Sequence, residues 1–99
     1  MKKILLVCSA GMSTSFLVTK MKKAAQEKNL DVDIEAVAEA ASKDYVGKAD
    51  VVLLGPQIKY LEKKIQEEFK ETPVRPINMV DYGTMNGAKV LDFALSLIK

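Results

Sequence analysis

The sequence predicts an α/β fold: one three-layer domain spanning residues 1–99, with a four-stranded parallel sheet in the order 2-1-3-4 and helices on both faces. Three observations carry this. Short apolar or alternating runs suited to strands alternate with longer stretches at helical spacing, giving βαβαβαβα. Two of the runs, Ile4–Val7 and Asp50–Leu54, are apolar almost throughout, as expected of strands buried on both faces. The other two carry edge marks, one an alternating pattern and the other an internal proline. Right-handed crossovers then place the doubly buried pair in the middle of the sheet.

Each element has its own warrant. Strand one is Ile4–Val7. Helix one should run from about Ser13 to Lys28, with Leu17, Val18, Met21, Ala24 and Ala25 on one face and Lys20, Lys22, Lys23 and Gln26 mostly on the other. Asn29 is its stop signal. Strand two covers Asp31–Val37, where Val32, Ile34 and Ala36 alternate with Asp33 and Glu35. Glu39–Val46 reads as a short, weak helix. Asp50–Leu54 is strand three, and Gly55-Pro56-Gln57 is the turn after it, with Pro56 suited to a first helical position. Ile58, Leu61, Ile65 and Phe69 form the stripe of a helix reaching about Lys70. Thr72-Pro73 separates that helix from strand four, Val74–Met79. Pro76 has no N–H to give, so this strand belongs at an edge with the proline nitrogen facing outward. A loop, Val80–Met85, leads to Asn86, a cap for the last helix, whose core stripe is Leu91, Ala94, Leu95 and Ile98.

Composition narrows the function. Ninety-nine residues suffice for one core, and 48% hydrophobic with 28% charged residues fits a globular domain rather than a disordered chain. The net charge of +2 is too small to indicate nucleic acid, and the lysines of helix one have no interleaved aromatics for base stacking, so they read as a solvated face. A single cysteine excludes an internal disulfide, and the absence of histidine removes Cys–His and Ser–His–Asp catalysis and the commonest metal ligand. No metal or cofactor is expected. No stretch approaches the ~20 apolar residues of a membrane span, and Met-Lys-Lys is not followed by a signal-peptide pattern. The expectation is a monomeric cytoplasmic protein with a free thiol.

The most informative segment is Cys8-Ser9-Ala10-Gly11-Met12-Ser13-Thr14-Ser15. It follows strand one directly and opens helix one. In the order 2-1-3-4 the chain direction reverses between strands one and three, and ligands of such folds bind at that switch point, beyond the strands' C-terminal ends. Helix N-termini favour anions, and thiols placed there ionise more readily, which makes them nucleophiles. Small residues flexible at Gly11 let backbone N–H groups converge on a tetrahedral anion, and Ser9, Ser13, Thr14 and Ser15 add hydroxyl donors. A lone cysteine closing an apolar strand is often just a small core residue, and with Cys8 inert the chain would be a non-catalytic binding or regulatory module. Its place before a helix at the switch point favours a site where sulfur attacks a phosphoryl group.

Other phosphate sites fit less well. No lysine completes a Walker A loop, the dinucleotide fingerprint needs three glycines, and a thioredoxin motif needs a second cysteine. A low-molecular-weight cysteine phosphatase uses the same strand–loop–helix, but with an arginine where this chain has Thr14. That arginine would clamp the phosphoryl oxygens in the transition state. Asp81 is the acid of the C-terminal loop that could protonate a leaving group; a solvated loop residue or local cap is the plainer reading. Met12, at the tip of a polar loop, suits a surface that meets partners.

Cys8–Ser15 resembles the phosphorylation loop of the IIB components of the bacterial sugar phosphotransferase system, in the lactose, cellobiose and chitobiose class. Ala49–Gln57, with its Leu-Gly-Pro-Gln end, is similar to that family's third strand and turn, and Tyr82-Gly83 to its C-terminal loop. The resemblance covers essentially the whole chain. It implies a phosphotransferase with the low-molecular-weight tyrosine phosphatase fold, carrying phosphocysteine at Cys8. A phosphohistidine on a IIA partner would donate the group, and a sugar held by the membrane-embedded IIC partner would accept it, with this protein at the membrane only peripherally. It also implies a phosphate-binding loop, Ser9–Ser15, and a site rim at Gly55, Pro56, Gln57, Tyr82 and Gly83. The missing histidine fits, since the partner supplies it. The sugar it implies is a β-linked disaccharide.

Overall fold

The computed structural model describes residues 2–8 and 12–98. Four strands, β1 (Lys2–Cys8), β2 (Val32–Ala38), β3 (Val51–Leu54) and β4 (Val74–Pro76), pair in parallel in the order β2-β1-β3-β4, as expected. The helices are α1 (Met12–Glu27), α2 (Glu62–Glu68), α3 (Met79–Gly83) and α4 (Gly87–Leu97), with 3-10 segments at Glu39–Tyr45 and Pro56–Leu61.

The pleat sorts the core into two layers. Ile4 and Leu6 of β1 and Val51 and Leu53 of β3 face one side; Leu5, Val7, Val52 and Leu54 face the other, and all eight are fully buried. The first side is covered by α1 and α4 through Leu17, Met21, Val90, Leu91 and Ala94. The second is covered by Ile58, Ile65 and Phe69 of the segment 56–69. Full burial of each large aliphatic side chain contributes about 1.5–3 kcal/mol, so this central pair makes a large contribution to the hydrophobic stabilisation.

Helix ends follow the sequence signals. Asn29 adopts φ 56°, and α1 closes with Leu30 N–H donating to Ala25 O at 2.9 Å and Asn29 N–H to Gln26 O at 3.1 Å, a Schellman arrangement. Asn86 caps α4 by accepting from Lys89 N–H at 3.2 Å. The start of α4 lies directly on α1: a β-carbon on Gly87 would sit 2.5 Å from the carbonyl carbon of Lys20 and 2.6 Å from the nitrogen of Met21. Only hydrogen fits there.

At the edge, β4 is blunted. Val74 N–H donates to Gln66 Oε1 at 3.0 Å, and the Gln66 amide also donates to Phe69 O and Thr72 O, which fixes the turn into the strand. Ile77 N–H and Pro73 O face β3, so the nitrogen of Pro76 points away from the sheet. Unpaired outward N–H groups are thus avoided.

Boundaries differ from the sequence reading in several places. β1 extends to Lys2 and Cys8, because pairing with β2 continues to Cys8↔Ala38. β4 ends at Pro76 instead of Met79, and the expected loop Val80–Met85 is largely the helical turn α3: Asn78 Oδ1 accepts from Val80 N–H and Asp81 N–H and starts a helix. The weak helix after β2 is 3-10, and the one expected to reach Lys70 is a 3-10 turn followed by a shorter α2, because Ile58 takes φ −121°.

A polar staple links β1, β2 and the segment 39–45. Lys3 Nζ lies 2.8 Å from Asp33 and 2.6 Å from Glu35, 5.7 Å from the Tyr45 ring centroid, and the Tyr45 hydroxyl donates to Glu35. Hydrogen bonds from Lys3 and then Tyr45 hold the Glu35 carboxyl below its ordinary value of 4.5. Burial opposes the charge on Lys3, but its two carboxylate partners outweigh that and raise its pKa.

Two outcomes follow from this packing. Gly87→Ala should destabilise the fold by about 1–3 kcal/mol, despite alanine's better helix propensity, because the added methyl meets backbone that cannot move alone. Urea unfolding measures it, and an unchanged midpoint would contradict the contact. Glu35 has a lowered folded pKa, so its contribution is present above its unfolded value and is lost as pH falls through the folded one. The melting-temperature gap between the unmutated protein and Glu35→Gln should therefore be open at neutral pH and close in acid; a gap independent of pH would refute the staple.

Candidate functional site

The site is built where β1 and β3 end side by side. β1 runs apolar into Cys8, so the cysteine is the last strand residue, not a loop residue, and is 3% exposed. Its Sγ lies 3.8 Å from Val37 O on β2, a weak hydrogen bond that orients the thiol across the sheet end. On the other side, Gly55 N–H donates to Val7 O at 2.9 Å, which extends the β1–β3 pairing by one step past Leu54. A β-carbon on Gly55 would lie 3.7 Å from Cys8 Cβ and 2.9 Å from Gln57 Oε1. The two strand ends thus meet with no side chain between them, and the Gln57 side chain folds back over the gap.

Pro56 begins the 3-10 turn 56–61, with Ile58 N–H donating to Gly55 O at 3.0 Å and Ile58 buried beneath. Gly55, Pro56 and Gln57 are therefore held beside Cys8, at the switch point expected from the strand order. Tyr82 and Gly83 lie on α3. Tyr82 is 7% exposed within the core layer of Leu17, Ile77, Val90 and Leu91, while Gly83 is exposed. Tyr82 is thus packed into the core layer, with Gly83 beside it at the surface. Asp81 is half-buried in the first turn of α3, where its N–H helps the Asn78 cap.

Of the expected phosphate-binding loop, Ser9, Ala10 and Gly11 lie outside the described residues. Met12, Ser13, Thr14 and Ser15 form the first turn of α1, so this helix starts four residues after Cys8. Ser15 is exposed, and its carbonyl accepts from Thr19 Oγ1 at 3.2 Å. The chain has a single arginine, Arg75. It sits on the edge strand β4 with Nη1 2.8 Å from Val74 O and 3.4 Å from Gln66 Oε1. It lines a groove of about 640 Å³ shared with Asp50, Lys70 and Thr72, toward the opposite end of the sheet from Cys8.

The sequence reading missed one group of residues. Phe16, on the first turns of α1, and Met79 and Val80, opening α3, are 67%, 64% and 69% exposed. All three follow the C-terminal ends of strands. Phe16 falls outside the Leu17–Val18–Met21 stripe, a signal that was available; Met79 was assigned to strand four, whose true end is earlier.

Comparisons with known proteins agree with this geometry. The family described as "PTS system, Lactose/Cellobiose specific IIB subunit" matches residues 3–93. The oligo-beta-mannoside-specific EIIB component of Bacillus subtilis (strain 168) is 47% identical over 100 residues, which span 99% of this chain and 97% of that protein. The solution structure of a cellobiose-specific phosphotransferase IIB component from Borrelia burgdorferi superposes with a TM-score of 0.81 at 47% identity, covering 98% of this chain and 91% of that one. A mutant of YwlE from Bacillus subtilis shares the fold at 13% identity and a TM-score of 0.57, over 98% of this chain and 93% of that chain; YwlE is an arginine phosphatase. The phosphatase-like sheet, the strand-end cysteine and the whole-length match lead to one assignment: this chain belongs to the lactose/cellobiose-specific IIB family of the sugar phosphotransferase system.

Proposed function

We propose that the chain is a phosphocysteine carrier. Cys8 accepts a phosphoryl group from phosphohistidine on a IIA protein and passes it to a β-linked disaccharide held by a membrane IIC protein. The observation that supports this is the position of Cys8: the end of β1, against Gly55 at the end of β3, in a chain with no histidine and its one arginine on the edge strand.

The chemistry is two displacements at phosphorus. The Cys8 thiol loses its proton to solvent, and the thiolate attacks. The S–P bond forms as the P–N bond breaks, and the electron pair of that bond returns to the partner's imidazole. In the second step a sugar hydroxyl attacks, the S–P bond breaks, and Cys8 leaves as thiolate; the hydroxyl proton goes to solvent or to a base outside this chain. The loop Ser9–Ser15 is assigned the phosphoryl oxygens, through N–H groups at the start of α1. A phosphatase would add an arginine at Thr14. Without it, water gains little help in discharging the intermediate, which suits a carrier.

Phe16, Met79 and Val80, each just past a strand's C-terminal end, expose apolar side chains that a protein partner docking at this end of the sheet would cover. No helix among the described residues is long and apolar enough to cross a membrane; in this reading sugar translocation belongs to IIC. Two relatives are named for oligo-beta-mannoside and cellobiose, β-linked sugars that favour this substrate class over the galactose named for a third.

Incubation with IIA phosphorylated from phosphoenolpyruvate should add the mass of one phosphoryl group, and Cys8→Ala should add none. Uptake by the alanine variant would move the acceptor elsewhere. Hydrolysis of p-nitrophenyl phosphate should be negligible, since one missing transition-state contact costs on the order of 10²–10³ in rate; turnover at the level of a cysteine phosphatase would favour that class instead.

A further inference from the structure

Gln57 is held in an unusual way for an exposed side chain. Its backbone is fixed on both sides, by the ring of Pro56 and by buried Ile58, whose N–H bonds to Gly55 O. Its side chain turns back across Gly55 rather than out along the 3-10 turn. The amide Oε1 lies 2.9 Å from the point a Gly55 β-carbon would occupy, and that same point is 3.7 Å from Cys8 Cβ. The terminal amide is therefore within one side-chain length of Cys8, on its β3 flank. Among the described residues, the Gln57 amide has no hydrogen-bond partner. Contrast Gln66, whose amide is fully engaged in fixing a turn.

We propose that Gln57 is a phosphoryl-orienting residue: an N–H of its amide donates to a non-bridging oxygen of the phosphoryl group as that group is transferred to and carried on Cys8. This rests on Cys8 being the acceptor. A glutamine amide has two N–H donors and one carbonyl acceptor, and rotation about its last bond exchanges the two ends without moving the rest of the side chain. With Sγ carrying a dianion, the N–H end is the favoured one. Gln57 gives up no proton and forms no covalent bond; the bonds made and broken are S–P and P–N alone. A neutral amide orients the group and stabilises its charge less than an arginine would, which keeps the phosphocysteine poised for transfer. Because glycine stands at 55, no side chain of that residue comes between the amide and Cys8.

A structural role and an orienting role separate experimentally. A partnerless exposed amide adds little to stability, so its removal should leave the melting temperature nearly unchanged. Losing a hydrogen bond to a charged oxygen should slow the transfer by about tenfold to a hundredfold. The experiment measures the single-turnover rate of phosphoryl transfer from phosphorylated IIA to the unmutated protein, Gln57→Ala and Gln57→Glu, with melting temperatures on the same samples. Slower transfer in Gln57→Ala, still slower in the like-charged Gln57→Glu, with both melting temperatures kept, is the expected result. In ¹⁵N-labelled protein, the Gln57 side-chain amide resonance should shift on phosphorylation. Transfer at the unmutated rate in both variants, an unmoved resonance, or a longer-lived phosphocysteine in Gln57→Ala would overturn the proposal, the last because Gln57 would then be positioning water. If the unmutated protein takes up no phosphoryl group, the Cys8 reading falls and this one with it; if it does so and the variants match it, only the role of Gln57 falls.

Discussion

The pairing of β1 with β3 is the contact on which the rest of this molecule depends. Both strands are buried on both faces, so each can be satisfied only at the centre of a sheet with helices above and below. Their parallel alignment forces long crossovers, which supply the covering layers. It also forces the chain to leave the two strands in opposite lateral directions, β1 toward α1 and β3 toward the turn at Pro56. The two paths part just past the bond from Gly55 N–H to Val7 O, the place where folds with this strand order leave room for a ligand.

The same constraint explains why the Cys8 sulfur is buried yet held at the end of the sheet. Cys8 closes a strand whose other members are held by two complete core layers, and it inherits their rigidity. Its thiol is oriented by Val37 O from β2 and faced by a glycine from β3. Strand ends set such positions more sharply than loops can, because sheet hydrogen bonds fix them from both sides. Close approach recurs at Gly87, where the absence of a side chain lets α4 rest on α1 and so steadies the helix that begins beyond the cysteine.

Charge is used sparingly around this frame. The Lys3–Asp33–Glu35–Tyr45 staple fixes β2 and the segment 39–45 to the start of β1, and Arg75 is spent on the edge strand. That arginine, the only one in the sequence, therefore lies toward the opposite end of the sheet from Cys8. The fold is shared with an arginine phosphatase at 13% identity, and architecture alone does not set the chemistry it carries.

Local pattern carried the architecture. The doubly apolar runs at 4–7 and 50–54, the alternation in β2, Pro76 in β4 and the asparagines at 29 and 86 each express a short-range rule, and strand order followed from them because burial and crossover handedness leave few topologies. The cysteine and its small-residue loop were legible for the same reason: strand, turn and helix start are contiguous in sequence. Tertiary structure decided what depends on distant partners. Pairing with Ala38 extended β1 to Cys8, and the Asn78 cap turned an expected loop into α3, which sank Tyr82 into the core. The return of Gln57 over Gly55 toward Cys8 joins residues about fifty positions apart, and no local spacing encodes it; only the lateral packing of β1 against β3 brings them together.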